Sequence, residues 1–261
     1  STVLKNPTGL AAGMFIKENG KMYVLLPGPP SELKPMFLQE ARPLLLANSD
    51  KPELLVSRVL RFFGIGESKL VTILDDLIEN QKNPTIAPYA GVHEVTLRLT
   101  ANGGSEKACN ELLDRLEATI QERVGTYFYG YGDETTLVEV VVDLLKEKRL
   151  KITAAESLTG GAFQSLLASV SGVSATFDGG VVTYSNESKT KVLGVSSDTI
   201  KQYGVVSEAC SIEMAEGVKQ LYGTDIAISF TGVAGPDTLE NQPAGTVWIG
   251  LAVTGQKTIA K

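Results

Sequence analysis

The sequence predicts an α/β protein: a layered α/β domain with a mostly parallel sheet in its C-terminal half, preceded by a small α+β domain and by a fragment of another α/β domain. Three observations carry that prediction. Beyond residue 134, short apolar runs alternate with stretches of helical periodicity, the order that lays a parallel sheet between helices. Before it, two strand-like runs each lead to a helix with one apolar face. Between them lies Tyr127-Phe128-Tyr129-Gly130-Tyr131-Gly132-Asp133, rich in glycine and aromatics and read as a packed linker rather than a base-stacking platform. The predicted domains are therefore residues 1–50, 51–130 and 131–261.

Taken in order, the chain opens with Asn6-Pro7-Thr8-Gly9-Leu10 and a hairpin, Met14–Lys17 and Met22–Leu26, reversed at Asn19-Gly20. Asn-Gly between apolar runs is a strong hairpin signal because both residues accept positive φ. The second strand runs into Pro27-Gly28-Pro29-Pro30 and a helix starting at Ser31, either a rigid turn with a cap or an anion site at a helix N-terminus. One hairpin and one helix bury too little to stand alone, so this segment reads as the tail of a larger domain. The next unit holds a strand Leu55–Phe63, a Gly64-Ile65-Gly66-Glu67 loop, a helix Ser68–Glu79, a strand Glu94–Thr100 and a helix Ser105–Val124. Its β-α-β-α order is similar to KH-type RNA-binding folds. The loop lacks the GXXG form that clamps a nucleotide backbone, and from Glu53 to Tyr127 eight Lys or Arg face eleven Asp or Glu. Nucleic acid is not an expected partner.

The C-terminal domain reads as a helix Thr136–Lys148, a strand over residues 150–155, a helix from Thr159, and a strand Gly180–Tyr184. Helices Glu187–Leu193 and Ser207–Tyr222 and strands Asp225–Thr231 and Thr246–Thr254 follow. Three strand ends carry polar, glycine-rich turns: Glu156-Ser157-Leu158-Thr159-Gly160-Gly161, Thr183-Tyr184-Ser185-Asn186-Glu187-Ser188-Lys189, and Thr231-Gly232-Val233-Ala234-Gly235-Pro236-Asp237. Ligands of parallel sheets bind beyond the carboxyl ends of the strands, so the three turns are expected to share one crevice.

Within it, Ser157 is either a helix N-cap or a nucleophile. Lys189 is either a solvated surface lysine or a base whose pKa is lowered by burial and the positive end of its helix. Lys191 is expected at the surface. Tyr184 either orients a proton or packs as an interfacial aromatic. Backbone groups around Thr159, Gly160 and Gly161 are expected at an oxyanion. Thr231, Gly232, Gly235 and Asp237 form either a ribose or phosphate contact or only a tight turn.

Composition narrows the function. The 261 residues carry a net charge of −6 with an isoelectric point near 5.0, unlike the basic face of a phosphate-neutralising nucleic-acid binder. No run of about 18 apolar residues suggests a membrane span. Two distant cysteines, Cys109 and Cys210, fit neither a disulfide framework nor a zinc cluster, and a reducing cytoplasm is the expected location. With His93 the single histidine, and in another segment, a Ser-His-Asp arrangement is not expected.

The blocks Ala155–Gly161, Val182–Lys189, Gly204–Glu208, Thr231–Asp237 and Pro243–Val247 resemble, in order and spacing, the C-terminal domain of the CinA family of competence/damage-inducible proteins. Leu26–Glu32 and Asn6–Leu10 resemble the end of that family's N-terminal domain, which is similar to molybdopterin-binding folds, and residues 53–127 correspond to its KH-like middle domain. The resemblance implies nicotinamide mononucleotide deamidase activity in the C-terminal domain, with Ser157 as nucleophile and Tyr184 and Lys189 as its catalytic partners. It implies no cofactor for that reaction, a pyridine nucleotide as the small-molecule partner, and a homo-oligomer without membrane attachment. A divalent metal and ADP-ribose pyrophosphatase activity are implied for the N-terminal domain, most of which this sequence lacks. The family also continues beyond the equivalent of Lys261 with an arginine thought to reach the site, so weak activity is expected of a chain ending there. A nucleotide-binding regulatory protein of competence or repair is the alternative function.

Overall fold

The computed structural model describes residues 1–49 and 54–261. They divide into two compact units, Ser1–Val59 with Gly64–Thr126, and Leu60–Phe63 with Tyr127–Lys261. The expected boundary between residues 50 and 51 lies outside the described residues.

In the first unit, β1 (Thr2–Leu4), β2 (Gly13–Glu18) and β3 (Lys21–Leu25) form an antiparallel sheet in that order. The β2–β3 reversal is at Asn19 and Gly20, whose φ values of 52° and 74° suit a two-residue hairpin turn. Helices α1 (Pro30–Met36) and α2 (Arg42–Ala47) follow, and Leu4, Phe15, Met36 and Ala41 make a small core.

The long strand β4 (Leu54–Phe63) begins in the first unit and ends in the second. Where the sequence predicts one helix there are two, α3 (Glu67–Ile73) and α4 (Asp75–Glu79). Leu74 between them is fully buried and leaves helical geometry at φ −105°, ψ 11°. A strand not expected from the sequence, β5 (Thr85–Ala90), precedes β6 (Glu94–Gly103) and α5 (Glu106–Val124), so the order is β-α-α-β-β-α. Pro88 disguises β5; it is tolerated because β5 is an edge strand, where one missing donor breaks no ladder. His93 sits in the turn between β5 and β6 at φ 63°.

In the second unit the aromatic stretch is a strand rather than a linker. β7 (Phe128–Tyr131) pairs antiparallel with Leu60–Phe62. Arg61 donates to the Tyr129 hydroxyl at 2.7 Å and to the carbonyls of Gly132 and Asp133 at 3.0 and 2.7 Å. Edge-to-face contacts between Phe62, Phe128 and Tyr131 complete the join.

The rest of this unit contains α6 (Leu137–Lys148), β8 (Ile152–Glu156), α7 (Ala162–Ala168), β9 (Val181–Val182) and α8 (Asn186–Leu193). They are followed by α9 (Ser197–Tyr203), absent from the sequence reading, then α10 (Glu208–Tyr222), β10 (Ile226–Gly232), β11 (Val247–Val253) and β12 (Ile259–Ala260). The five strands lie in the order β12-β11-β10-β8-β9. The sheet is mixed: β10, β8 and β9 are parallel, β11 runs antiparallel to β10, and β12 runs antiparallel to β11. A loop, not a crossover helix, joins β10 to β11, and only antiparallel neighbours can be joined that way.

Alternate residues of β8 and β10 divide between two apolar clusters, as pleating requires. Ala155 and Ala227 meet Cys210, Met214, Ala215 and Val218 of α10 on one face. Ile152 and Ile226 meet Val142, Leu145 and Leu167 of α6 and α7 on the other. Close packing of α10 depends on Gly250, where a Cβ would strike the Ser211 carbonyl and the Ser229 hydroxyl. Among the described residues no helix is long and apolar enough to cross a membrane.

Candidate active site

All five residues of β8 are buried, and its carboxyl end delivers Ser157. The Ser157 N–H donates to Phe230 O at 2.9 Å, extending the β8–β10 ladder by one residue, so the sheet itself fixes this serine. Its side chain caps no helix; the N-cap position of α7 is occupied by Gly161, at φ 104°.

Glu156 does the capping instead. Its fully buried carboxylate accepts the N–H groups of Gly161, Phe163 and Gln164 at 2.9, 3.2 and 2.9 Å. Burial by itself would push this carboxyl up. The hydrogen bonds from Thr159, Gln164 and Phe163 outweigh it and hold the group below its ordinary value, as an anion at the positive helix end. The start of α7 is thus neutralised from inside the protein. Thr159, Gly160 and Gly161, expected at an oxyanion, are not on the pocket wall: the Gly160 N–H is bonded to Ser157 O, the Gly161 N–H to Glu156, and the Thr159 carbonyl to the Ala162 N–H. Replacing Glu156 with glutamine is expected to destabilise the fold by about 1.5–3 kcal/mol, the range for hydrogen bonds to a charged group. A lowered denaturation midpoint with unchanged slope checks it.

The second contributor is α8, whose first turn is fixed by a capping box between Ser185 and Ser188. Lys189 follows on the inner face and is only 1% exposed. Its Nζ lies 2.8 Å from Ser157 Oγ, 2.8 Å from Thr183 O and 3.5 Å from Tyr184 O. Among the described residues no carboxylate is within ion-pair reach of this amine. Burial lowers its pKa, opposed more weakly by Cys210, were its thiol ionised, and by the charge of Glu240. Lys191, two residues on, is 73% exposed and paired with Glu187 at 2.7 Å.

A neutral amine has two N–H donors and one lone pair. In the structure Nζ donates to Ser157 Oγ and to the two carbonyls; once the amine is neutral, its two N–H groups still serve the carbonyls and its lone pair faces the Ser157 hydroxyl. The arrangement is what a serine activated by an uncharged lysine requires.

A pocket of about 320 Å³ opens above the pair. The carboxyl ends of the three parallel strands meet there: Ser157, Tyr184 and Lys189 share its lining with Thr231, Gly232, Gly235 and Asp237. Tyr184 is 66% exposed at the mouth, and it is its carbonyl that faces Lys189. Sequence reasoning missed Leu158, Asn186, Val205 and Leu239 on the same wall. Asn186 had a signal, since it opens the helix that carries Lys189; Val205 lies in the Gly204–Glu208 block, but nothing in its spacing ties that turn to the pocket. Both cysteines are free and buried, and burial pushes the Cys210 thiol up to about 11. Among the described residues no three His, Cys, Asp or Glu side chains converge as metal ligands would.

Residues 134–261 match the CinA C-terminal domain and residues 57–130 the KH domain of damage-inducible protein CinA. A competence-damage inducible protein of Levilactobacillus brevis is 59% identical over the whole of this chain, and its counterpart in Listeria monocytogenes is 55% identical. The chain spans 63% of the length of each of these curated relatives. A crystal structure of competence damage-inducible protein A from Klebsiella pneumoniae is 43% identical, covering 46% of this chain and 75% of that one at a TM-score of 0.45. With two domains matched in order and the whole chain aligned to these relatives, the protein belongs to the CinA family.

Proposed function

We propose that the second unit is an amidohydrolase that converts nicotinamide mononucleotide to nicotinate mononucleotide and ammonia. The observation that carries the chemistry is the 2.8 Å contact between Ser157 Oγ and a buried lysine lacking a counter-ion. The family resemblance supplies the substrate.

In the first half-reaction the Ser157 O–H proton moves to Lys189 Nζ while Oγ bonds to the carboxamide carbon. The N–H of Leu158, which lines the pocket beside Ser157 and has no protein acceptor among the described residues, takes the developing oxyanion. Collapse breaks the C–N bond, and the Lys189 proton leaves with the amine as ammonia. Water then attacks the ester, returns one proton to Ser157 Oγ through Lys189, and frees the acid. Asn186 and Asp237 offer polar groups to the ribose, and Tyr184 offers a ring face to the pyridinium.

The test is incubation with nicotinamide mononucleotide and measurement of ammonia and nicotinate mononucleotide together. Because Lys189 works only uncharged, and burial places its pKa below the ordinary lysine value, kcat/KM is expected to climb tenfold per pH unit below that pKa and level off above it. Binding without release of ammonia, or a kcat/KM with no rising limb at any pH at which the protein stays folded, would sink this reading.

A further inference from the structure

The loop of residues 233–246, which joins β10 to β11, supplies much of the pocket wall through Val233 to Leu239. At its base the Val233 N–H donates to Thr246 O and the Gly245 N–H to Val233 O, each at 2.9 Å. Beyond these, Ala234 to Asn241 are exposed, so little apolar burial restrains the wall. At its far end the chain reverses in a two-residue turn, where Leu239 and Gln242 exchange backbone hydrogen bonds at 3.1 and 2.8 Å. The two turn residues, Glu240 and Asn241, have φ of 51° and 59°.

Asparagine tolerates that left-handed conformation; glutamate does so at a penalty of roughly 1 kcal/mol. Something offsets it at Glu240. Its carboxylate crosses to the turn before α10 and accepts the Val206 N–H at 3.1 Å. The carboxylate lies beside Gly204, at φ 81°, in space that a Cβ at residue 204 would occupy. Both ends of this bridge belong to the pocket, since Val205 between the two partners lines it opposite the loop.

We propose that Glu240 is a positioning residue: its carboxylate latches the 233–246 loop onto the Gly204–Val206 turn, and this latch sets how tightly the pocket holds its substrate. Glu240 makes no hydrogen bond to Ser157 or Lys189 and takes no part in proton transfer; its charge only raises the Lys189 pKa weakly, so the variants are compared on the alkaline plateau, where the amine is neutral in all of them. Freed of it, the loop samples open arrangements in which the wall from Ala234 to Leu239 is withdrawn. Apparent affinity then falls by the fraction of molecules still closed, while those closed turn over at the normal rate. As far as turnover is concerned, this inference rests on the deamidase reading above.

Three variants separate the latch from the turn. Glu240→Ala removes the carboxylate; Glu240→Gly removes it while relieving the left-handed strain; Glu240→Gln keeps an acceptor for the Val206 N–H. Two readouts are taken, KM and kcat for nicotinamide mononucleotide, and the rate at which chymotrypsin cuts after Leu239 in the nucleotide-free protein. The alanine and glycine variants are expected to be cut at least threefold faster and to raise KM about five- to tenfold, with kcat within twofold. The glutamine variant is expected near wild type on both. Wild-type cutting rates in the alanine and glycine variants overturn the latch whether or not ammonia is released. Faster cutting with no turnover in any form, wild type included, upholds the latch and removes the deamidase reading instead. A glycine variant that resembles wild type while alanine does not would show that turn strain is responsible, and would also overturn the proposal.

Discussion

Ser157→Ala is expected to lower kcat for ammonia release by on the order of 10⁵ or more, as removal of a nucleophilic serine does where it has been dissected. What survives reflects the remaining pocket, since substrate binding and oxyanion donors still speed hydrolysis by an uncovalent route. Affinity for the nucleotide should stay within about twofold, because Oγ engages the substrate mainly as a bond forms. Stability should change little: the Ser157 N–H stays in the ladder with Phe230 O, and the side chain gives up only its contact with Lys189. Ammonia assay, calorimetric titration with nicotinamide mononucleotide and thermal melting decide the matter together. A variant that melts well below wild type yet turns over at a similar rate would make Ser157 a structural residue.

How much of this site was legible from the chain depends on how local each part is. Three glycine-rich turns at the ends of apolar runs are a local pattern, and parallel strands place such turns together by topology; Ser157, Lys189 and Asp237 could be picked out on that basis. The choice between capping serine and presented serine could not. It turns on Glu156, which ends an otherwise apolar strand and reads as the first polar residue of a loop, yet folds back as a buried anion over the start of α7. Nor does spacing reveal that Lys189 is buried, because its helix is polar on most of its surface and only contact with Ser157 and Thr183 places the amine inside. The fold shows the same division. The first hairpin was readable from Asn19-Gly20 and the helix α5 from Ser105 onward, whereas β7 was hidden because its partner Arg61 is 68 residues away from Tyr129. β5 was hidden by Pro88, which only edge position makes acceptable.

Lys189→Met should match the serine variant in lost activity, because methionine fills similar volume and can neither accept nor return a proton. Its effect on stability separates a buried base from a lysine that merely packs. In the wild-type protein the amine is desolvated and lacks a carboxylate partner, so protonation is harder in the folded chain than in the unfolded one. The folded pKa is lowered, hence between it and the ordinary lysine value of about 10.4 the unfolded state binds more protons. Wild-type stability therefore rises with pH across that window and falls as pH drops through it, the sign required when the unfolded chain is the better proton acceptor. Methionine removes that dependence and leaves the Thr183 carbonyl without its partner at every pH. The midpoint difference, variant minus wild type, is expected to be most favourable to methionine at about pH 6 and to move against it toward about pH 10. Melting curves for both proteins at those pH values, alongside ammonia assays, provide the comparison. A difference that stays constant with pH means that Lys189 is equally charged in the folded and unfolded chains, and a lysine in that state could not take the proton from Ser157.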